Sequence, residues 1–338
     1  MAVKVAINGF GRIGRLTLRA IVEQGRTDVV PVAINGPGDL ATQAHLFKYD
    51  SLHGRFAGDV AVEGDAMVIR HNGRTYGPIR VMSDRDPSKL DLSGVDVVLE
   101  CTGSLTKKDK AMPLITAAGA RKVVISAPGD GVDATIVYGV NNHALKPEMQ
   151  VISAASCTTN CLAPMAKVLH DSFGILRGYM VTIHAYTGDQ RILDAHHKDL
   201  RRARAAAMSA IPTSTGAARS VGLVLPELKG KLDGTAIRIP VPNVSMVSLD
   251  VDLKAPATVQ DINAAMEAAS GGALRGVMEY NTAPLVSTDF NHSSASCVFD
   301  ATQTAVVDGS FARVMGWYDN EWGFSCRMVD LAVLMGRG

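Results

Sequence analysis

The sequence is short of several things, and each shortage removes a class of protein. It has 5 cysteines in 338 residues. That number is odd and too small for a disulfide framework, and the short Cys157/Cys161 separation fits a reducing compartment. Charge of either sign is not in excess: the net value is +1. Nothing electrostatic therefore points to nucleic acid or an acidic membrane as the main partner. No apolar run is long enough to span a bilayer. No basic stretch followed by an apolar one precedes the first strand at Val3, so no targeting segment is read. Internal repeats and low-complexity tracts are absent too. What remains is an ordinary globular composition, 47% hydrophobic and 20% charged, for which a cytoplasmic location is expected. The length exceeds one typical core and points to two domains.

The first half alternates strand-like and helix-like stretches. Val3-Lys4-Val5-Ala6-Ile7, Val29 to Ile34, Val95 to Cys101, Lys122 to Ser126, Val137 to Val140 and Val151 to Ser153 read as strands, and Leu40 to Tyr49 reads as a helix. Such alternation predicts a parallel sheet with helices on both faces, and ligands in that arrangement bind at the carboxyl edge. After Cys157 the character changes. Arg238 to Val251 and Ala312 to Tyr318 look like strands of a mixed or antiparallel sheet. Val259 to Ser270 reads as an amphipathic helix, and Phe324 to Met335 as another. The long segment Ala185 to Thr215, rich in Arg, His and Ala, is of the kind that forms a functional loop.

Two motifs carry chemistry. Asn8-Gly9-Phe10-Gly11-Arg12-Ile13-Gly14-Arg15 follows the first strand and opens a helical run. This is G-x-G-x-x-G in the context it requires for binding a dinucleotide. Gly9 allows the tight turn, Gly11 lets the backbone approach a pyrophosphate, and Gly14 lets helix and strand close up. Glycine turns between strand and helix also serve packing alone. In the second motif, Ser153 to Cys161, a thiol stands where a strand gives way to a helix. The helix dipole and the unpaired N–H groups of the first turn favour a thiolate there, so Cys157 reads as a nucleophile. The commoner alternative is a buried structural cysteine.

These two motifs recur with His184-Ala185-Tyr186-Thr187, Asp199-Leu200-Arg201-Arg202-Ala203-Arg204 and Tyr318-Asp319-Asn320-Glu321-Trp322-Gly323, in that order. With them the chain closely resembles the phosphorylating glyceraldehyde-3-phosphate dehydrogenase family over nearly its whole length. The resemblance implies an α/β protein: a Rossmann doubly wound parallel sheet, plus an α+β catalytic domain with a mixed, largely antiparallel sheet. Residues 1–156 with a C-terminal helix at 321–338 would bind NAD(P), and residues 157–320 would form the catalytic domain. It also implies a homotetramer and no metal. Cys157 would add to the aldehyde of glyceraldehyde 3-phosphate, and a thioester would form and be cut by inorganic phosphate. His184 would be the base, in keeping with the pKa range of an imidazole.

Thr187, Asp189 and Arg238 would hold the substrate phosphate, and Ser156, Thr158, Thr215 and Gly216 the inorganic phosphate. Each has a plain alternative, such as a helix cap for Ser156 and an ordinary turn for Thr215-Gly216. The cofactor would be held by Asn8, Gly9, Phe10, Gly11, Arg12, Ile13, Gly14, Asn35, Gly36, Arg85, Thr102, Gly103, Ser126, Asn320 and Phe324. Arg201, Arg202 and Arg204 would make ion pairs at a subunit interface.

Some positions depart from the family pattern. NAD-specific members read Asn-Asp at the end of the second strand, where the carboxylate accepts from the ribose hydroxyls; this chain reads Asn35-Gly36. Ala195-His196 stands in place of their Leu-Pro pair. Tolerance of NADP is expected, with Asp39 or backbone groups as the features that would instead restore NAD selectivity. Phe324 replaces a frequent tyrosine, and Ser104 replaces a common arginine for which no role is assigned. Two rival readings remain: erythrose-4-phosphate dehydrogenase, against which Tyr186-Thr187 argues, and an inactive cofactor-binding scaffold, against which the intact Cys157/His184 pair argues.

Overall fold

The first strand is buried at every position except Lys4, at its second residue. A strand apolar on both faces belongs inside a layered sheet rather than at a surface. The structure, a computed structural model, describes all 338 residues. Contacts divide the chain into two units. One comprises Met1–Tyr138, Asn142–Ala155 and Phe324–Gly338, the other Gly139–Asn141 and Ser156–Gly323. No helix is long and apolar enough to cross a membrane.

The first unit begins β1 (Val3–Asn8), α1 (Arg12–Glu23), β2 (Val29–Asn35) and α2 (Leu40–Lys48). A small ribbon, β3 (Tyr49–Asp50) with β4 (Gly54–Arg55), leads to the meander β5 (Asp59–Glu63), β6 (Ala66–His71) and β7 (Arg74–Met82). Then come β8 (Val97–Glu100), the short helices α3 (Lys108–Ala111) and α4 (Pro113–Thr116), β9 (Lys122–Ile125), β10 (Ala134–Thr135) and β11 (Val151–Ser153). Nine of these strands form one sheet in the order β10-β11-β9-β8-β1-β2-β7-β6-β5. Its centre is parallel, while β5, β6 and β7 pair antiparallel. β1 lies between β2 and β8, so the chain leaves to one side and later returns to the other. That reversal opens a crevice at the carboxyl ends of β1, β2 and β8.

Two local readings need correction. The meander from Asp59 to Met82 was not anticipated, although Asn72-Gly73, both at positive φ, is the turn pair that joins two strands most tightly. The strand expected at Val137–Val140 is a turn. Gly139 sits at φ +84°, and the pairing falls instead on Ala134–Thr135.

The second unit runs α5 (Cys157–Phe173), β12 (Ile175–Ala185), β13 (Ile211–Ser214), α6 (Ala217–Val224), β14 (Leu232–Ile239), β15 (Ser245–Leu253) and α7 (Val259–Gly271). It continues β16 (Met278–Asn281), β17 (Cys297–Asp300), β18 (Ala305–Val307) and β19 (Phe311–Tyr318), and α8 (Trp322–Arg337) follows. Its mixed sheet has the order β13-β14-β12-β15-β19-β17-β16, with β18 on β19. The residues of β15 are alternately fully and partly buried, the period-2 signature of a sheet with one covered face, and α5 packs against it. The run Arg238 to Val251 is two strands. Pro240 and Pro242 lack the N–H groups that a continuous ladder needs. β12 and β14 pair in parallel, which sets His184 beside Arg238.

Candidate active site

Ser156 is the N-cap of α5: its Oγ accepts from the Thr159 N–H at 3.0 Å, satisfying one donor of the first turn. Ala155, just before it, has φ 59°, a conformation that costs a residue with a Cβ about 1–2 kcal/mol. This strained entry delivers Cys157 at the first position of the helix. Its sulfur lies 3.6 Å from His184 Nε2. The other ring nitrogen, Nδ1, is 2.7 Å from the Ala185 carbonyl. A carbonyl only accepts, so Nδ1 carries the proton and Nε2 offers its lone pair to the thiol.

Burial pushes the His184 imidazole down to about 3, with Arg238 acting in the same direction. Burial also pushes the Cys157 thiol up, opposed by Arg238 and by the Thr158 hydroxyl and N–H. Cys157 keeps part of its surface open, whereas His184 is 4% exposed, so desolvation bears harder on the imidazole. Both shifts favour a neutral thiol beside a neutral imidazole, so burial works against the standing thiolate that the dipole argument predicts.

The expected phosphate ligands fall in two groups. Arg238 Nη1 donates to Thr187 Oγ1 at 3.0 Å and to Gln190 Oε1 at 3.4 Å, and its buried Nε has no partner. Asp189 places its carboxylate on Arg202, at 2.8 Å, and on His197, at 3.4 Å. An acceptor-only group cannot itself bond a phosphate oxygen, so what it does here is orient Arg202. Thr158 turns its hydroxyl to Tyr318 at 2.8 Å. Thr215 Oγ1 accepts from the Ala217 N–H at 3.2 Å, and Gly216 is the N-cap of α6 with no side-chain cap.

Two members of the arginine cluster have partners within the chain. Arg202 reaches Asp189, Thr213 Oγ1 and the Ser214 carbonyl, and Arg204 pairs with Asp194 at 2.8 Å.

Several side chains escaped the reading of the sequence. The Tyr318 hydroxyl bridges Thr158 and Thr182, and its ring meets that of His184 edge-on at 5.9 Å. Ser245 Oγ takes the Ala185 N–H and donates to Asn320 Oδ1 at 2.9 Å, which fixes the direction of the Asn320 amide. The Asp319 carboxylate accepts from Asn243, from the backbone N–H of His292 and from two N–H groups at the start of α8. Nothing in their residue types marks them; only the adjacency of Tyr318 and Asp319 to Asn320 was a signal.

In the first unit a cleft of about 440 Å³ opens at the strand ends, a size typical of small-molecule sites. Asn8, Gly9, Asn35, Gly36, Arg85 and Thr102 line it, joined by Asp84 and Ser104 among others. The glycine turn fits a dinucleotide. A Cβ on Gly14 would stand 2.0 Å from the Gly9 carbonyl oxygen, while one on Gly11 would meet nothing within 4 Å. The α1 N-terminus has no side-chain cap, so its first N–H groups are left for an anion.

The other expected cofactor residues of this unit do not line the cleft. Phe10 is buried and Ile13 half-buried. Arg12 commits its guanidinium to Asp50, at 2.5 and 3.1 Å. Despite burial, which raises it, Arg12 and the His53 and Leu52 N–H groups hold the Asp50 carboxyl at about 2. Gly103, at φ 72°, follows Thr102. Ser126 donates its N–H to the Glu100 carbonyl at 2.9 Å, and Phe324 is buried in α8.

A glycine turn for a dinucleotide in one unit and a thiol–imidazole pair in the other define a nucleotide-dependent oxidoreductase that works through cysteine. Comparison with known proteins gives the family. Residues 3–108 match the NAD-binding domain of glyceraldehyde 3-phosphate dehydrogenase, and residues 156–320 match its C-terminal domain. Glyceraldehyde-3-phosphate dehydrogenases of Xanthobacter flavus and Cereibacter sphaeroides are 58% and 57% identical, covering 100% of this chain and 99% of theirs. That of Geobacillus stearothermophilus is 55% identical over 98% of both chains. The chain belongs to the glyceraldehyde-3-phosphate dehydrogenase family.

Proposed function

We propose that the chain oxidises D-glyceraldehyde 3-phosphate to 1,3-bisphosphoglycerate, reversibly, with inorganic phosphate and NAD(P)+. The observation that carries this is the Cys157 sulfur 3.6 Å from an imidazole nitrogen whose proton sits on the far side of the ring. Nε2 takes the thiol proton as Sγ bonds to the aldehyde carbon and passes it to the carbonyl oxygen, which becomes the hydroxyl of a hemithioacetal. His184 then removes that hydroxyl proton as the carbon loses hydride and becomes a thioester. When bound, the cofactor supplies the hydride acceptor. A phosphate oxygen attacks the thioester carbon, the C–S bond breaks, and Cys157 leaves as thiolate to be reprotonated.

Arg238 with Thr187 is suited to the substrate phosphate. Ser156, Thr158, Thr215 and Gly216 would hold the attacking phosphate, with Arg202 adding charge beside Thr213. Asn320, oriented by Ser245, offers its amide to the cofactor. Met1–Ala155, apart from Gly139–Asn141, with Phe324–Gly338 serves as the cofactor domain, and Ser156–Gly323 as the catalytic domain. Phosphate-dependent reduction of the cofactor by the aldehyde, abolished by iodoacetate, is the expected result. No phosphate dependence in the untreated protein would sink the reading and favour the scaffold, and a preference for erythrose 4-phosphate would favour that sister enzyme.

NAD is the cofactor the family domain binds, and NADP is accepted as well. Gly36 leaves no carboxylate to repel a 2′-phosphate, and a Cβ there would stand 2.7 Å from Phe10 Cβ. Asp39 does not substitute, because its carboxylate caps α2 through the Thr42 N–H and hydroxyl, both at 2.8 Å. Comparing kcat/KM decides it: a preference for NAD of about a hundredfold rejects NADP use.

A homotetramer is supported by the apolar side chains that the 185–215 segment leaves in the open. Ile192 is 87% exposed and Leu200 82%, more than a lone surface residue needs. Light scattering that returned the mass of a single chain would overturn it.

A further inference from the structure

The side chains that end β1, β2 and β8 are joined in one buried line. The Glu100 carboxylate accepts from the Asn8 amide on one oxygen, and from the Thr102 N–H and hydroxyl on the other. Asn8 Oδ1 accepts from Asn35 Nδ2 at 2.7 Å. Asn35 grips the backbone of Asp84 twice, donating to its carbonyl at 2.8 Å and accepting from its N–H at 3.0 Å. At the opposite end the Thr102 and Ser104 hydroxyls meet at 2.7 Å, which gives the unassigned Ser104 a place. Burial raises the Glu100 carboxyl, and its bonds from Thr102 and Asn8 oppose that rise.

The line has a sense. An ionised carboxylate only accepts. Asn8 must therefore turn Nδ2 towards Glu100, which leaves Oδ1 for Asn35. Asn35 must then turn Nδ2 towards Asn8 and Oδ1 towards the Asp84 N–H. Every amide has one allowed orientation, set by the glutamate at one end and by the Asp84 N–H and carbonyl at the other. The two ends of the line are the two walls of the cleft: Ser83, Asp84, Arg85 and Pro87 on one side, Thr102, Ser104 and Leu105 on the other. Glu100 itself does not line it.

We infer that Glu100 is a positioning residue for the dinucleotide, tying Asn8 to Thr102 at one end of the Glu100–Asn8–Asn35–Asp84 line and so setting the spacing of the walls that grip the cofactor. This rests on the reading of the cleft as the cofactor site.

The test measures cofactor dissociation constants by calorimetry on the full-length protein, with the thermal midpoint and steady-state constants alongside. Glu100→Gln keeps one acceptor oxygen and gains an NH2 group that faces either Asn8 Nδ2 or the Thr102 N–H. The dissociation constant and the cofactor KM are expected to rise about tenfold, as for loss of one charge-assisted bond, with kcat at saturation within about twofold. Adding Asn8→Asp gives the new NH2 an acceptor, keeps an oxygen for Asn35 and restores the net charge. The double variant is expected to bind the cofactor more tightly than Glu100→Gln alone. Should Glu100→Gln not fold, Thr102→Val removes one bond from the surface end, and a rise of about threefold is expected. Unchanged binding in these single variants, or a double variant no tighter than Glu100→Gln, overturns the positioning role. Wild-type protein that binds neither NAD nor NADP overturns the cofactor reading, and the inference with it.

Discussion

The chain turns from strand to helix twice at points that matter, and the two turns are built on opposite principles. Between β1 and α1 the turn works by what is missing. Gly9, Gly11 and Gly14 carry no side chains, the helix has no side-chain cap, and its N–H groups are left for a ligand. Before α5 the turn works by what is present. Ala155 is held at φ 59°, Ser156 caps the helix, and a thiol occupies the first helical position. One helix terminus is left without a side-chain cap, while the other is capped and opens on a thiol. On the proposed function the first serves binding and the second bond-making.

The difference is sharpest for substitutions that remove each turn's working part. Cys157→Ser is expected to lower turnover by at least about 10³-fold, since a neutral hydroxyl is a far poorer nucleophile than a thiol beside a base. Calorimetric cofactor binding should survive, because the glycine turn is untouched; a normal rate would remove Cys157 from its role. Gly14→Ala is the counterpart. With its Cβ 2.0 Å from the Gly9 oxygen, the helix must move off the strand, at a cost of about 2–4 kcal/mol. Urea unfolding should register the loss, and a variant of unchanged midpoint would mean that helix and strand are not close-packed there.

A smaller effect separates the closed turn from the open one through pH. Folding holds the His184 imidazole at about 3, below the value of about 6.5 for an unfolded histidine. The unfolded chain thus binds the extra proton between these values. The contribution to stability is complete above pH ~6.5 and drains away as pH falls towards 3. From pH 7 to 5 the wild type should lose about 2 kcal/mol more than His184→Asn, measured by urea midpoints. Equal losses in both proteins would show that the ring is not held neutral by burial.

The open turn was the more legible of the two. Glycines at fixed spacing after an apolar strand announce a backbone that must lack side chains, and Gly9 and Gly14 meet the contacts this demands. The thiol's position at the helix start was legible as well, but its protonation was not. The dipole acts along the chain and can be read from the sequence, whereas burial comes from side chains distant in sequence, such as Tyr318. The partners of Arg202 within the chain were hidden for the same reason: a run of arginines looks like a subunit surface, and Asp189 and Thr213 come beside it only once β13 and the loop before it are folded. The Asn72-Gly73 hairpin shows the converse, a local signal present in the residues themselves.

The mildest pair of substitutions tests the comparison most directly, because each leaves the other turn alone. Gly11→Ala adds a methyl group to open space at φ −81°, so the cofactor-free protein should keep its stability within about 0.5 kcal/mol. On the proposed function the methyl group would stand in the path of the pyrophosphate, and cofactor binding should weaken. Ser156→Ala removes the cap of α5 and should cost about 1 kcal/mol of stability, with cofactor binding unchanged. Thermal midpoints and calorimetry on the same two variants give four numbers. If Gly11→Ala lost stability and Ser156→Ala lost cofactor, the division into an open terminus for binding and a closed one for chemistry would have to be given up.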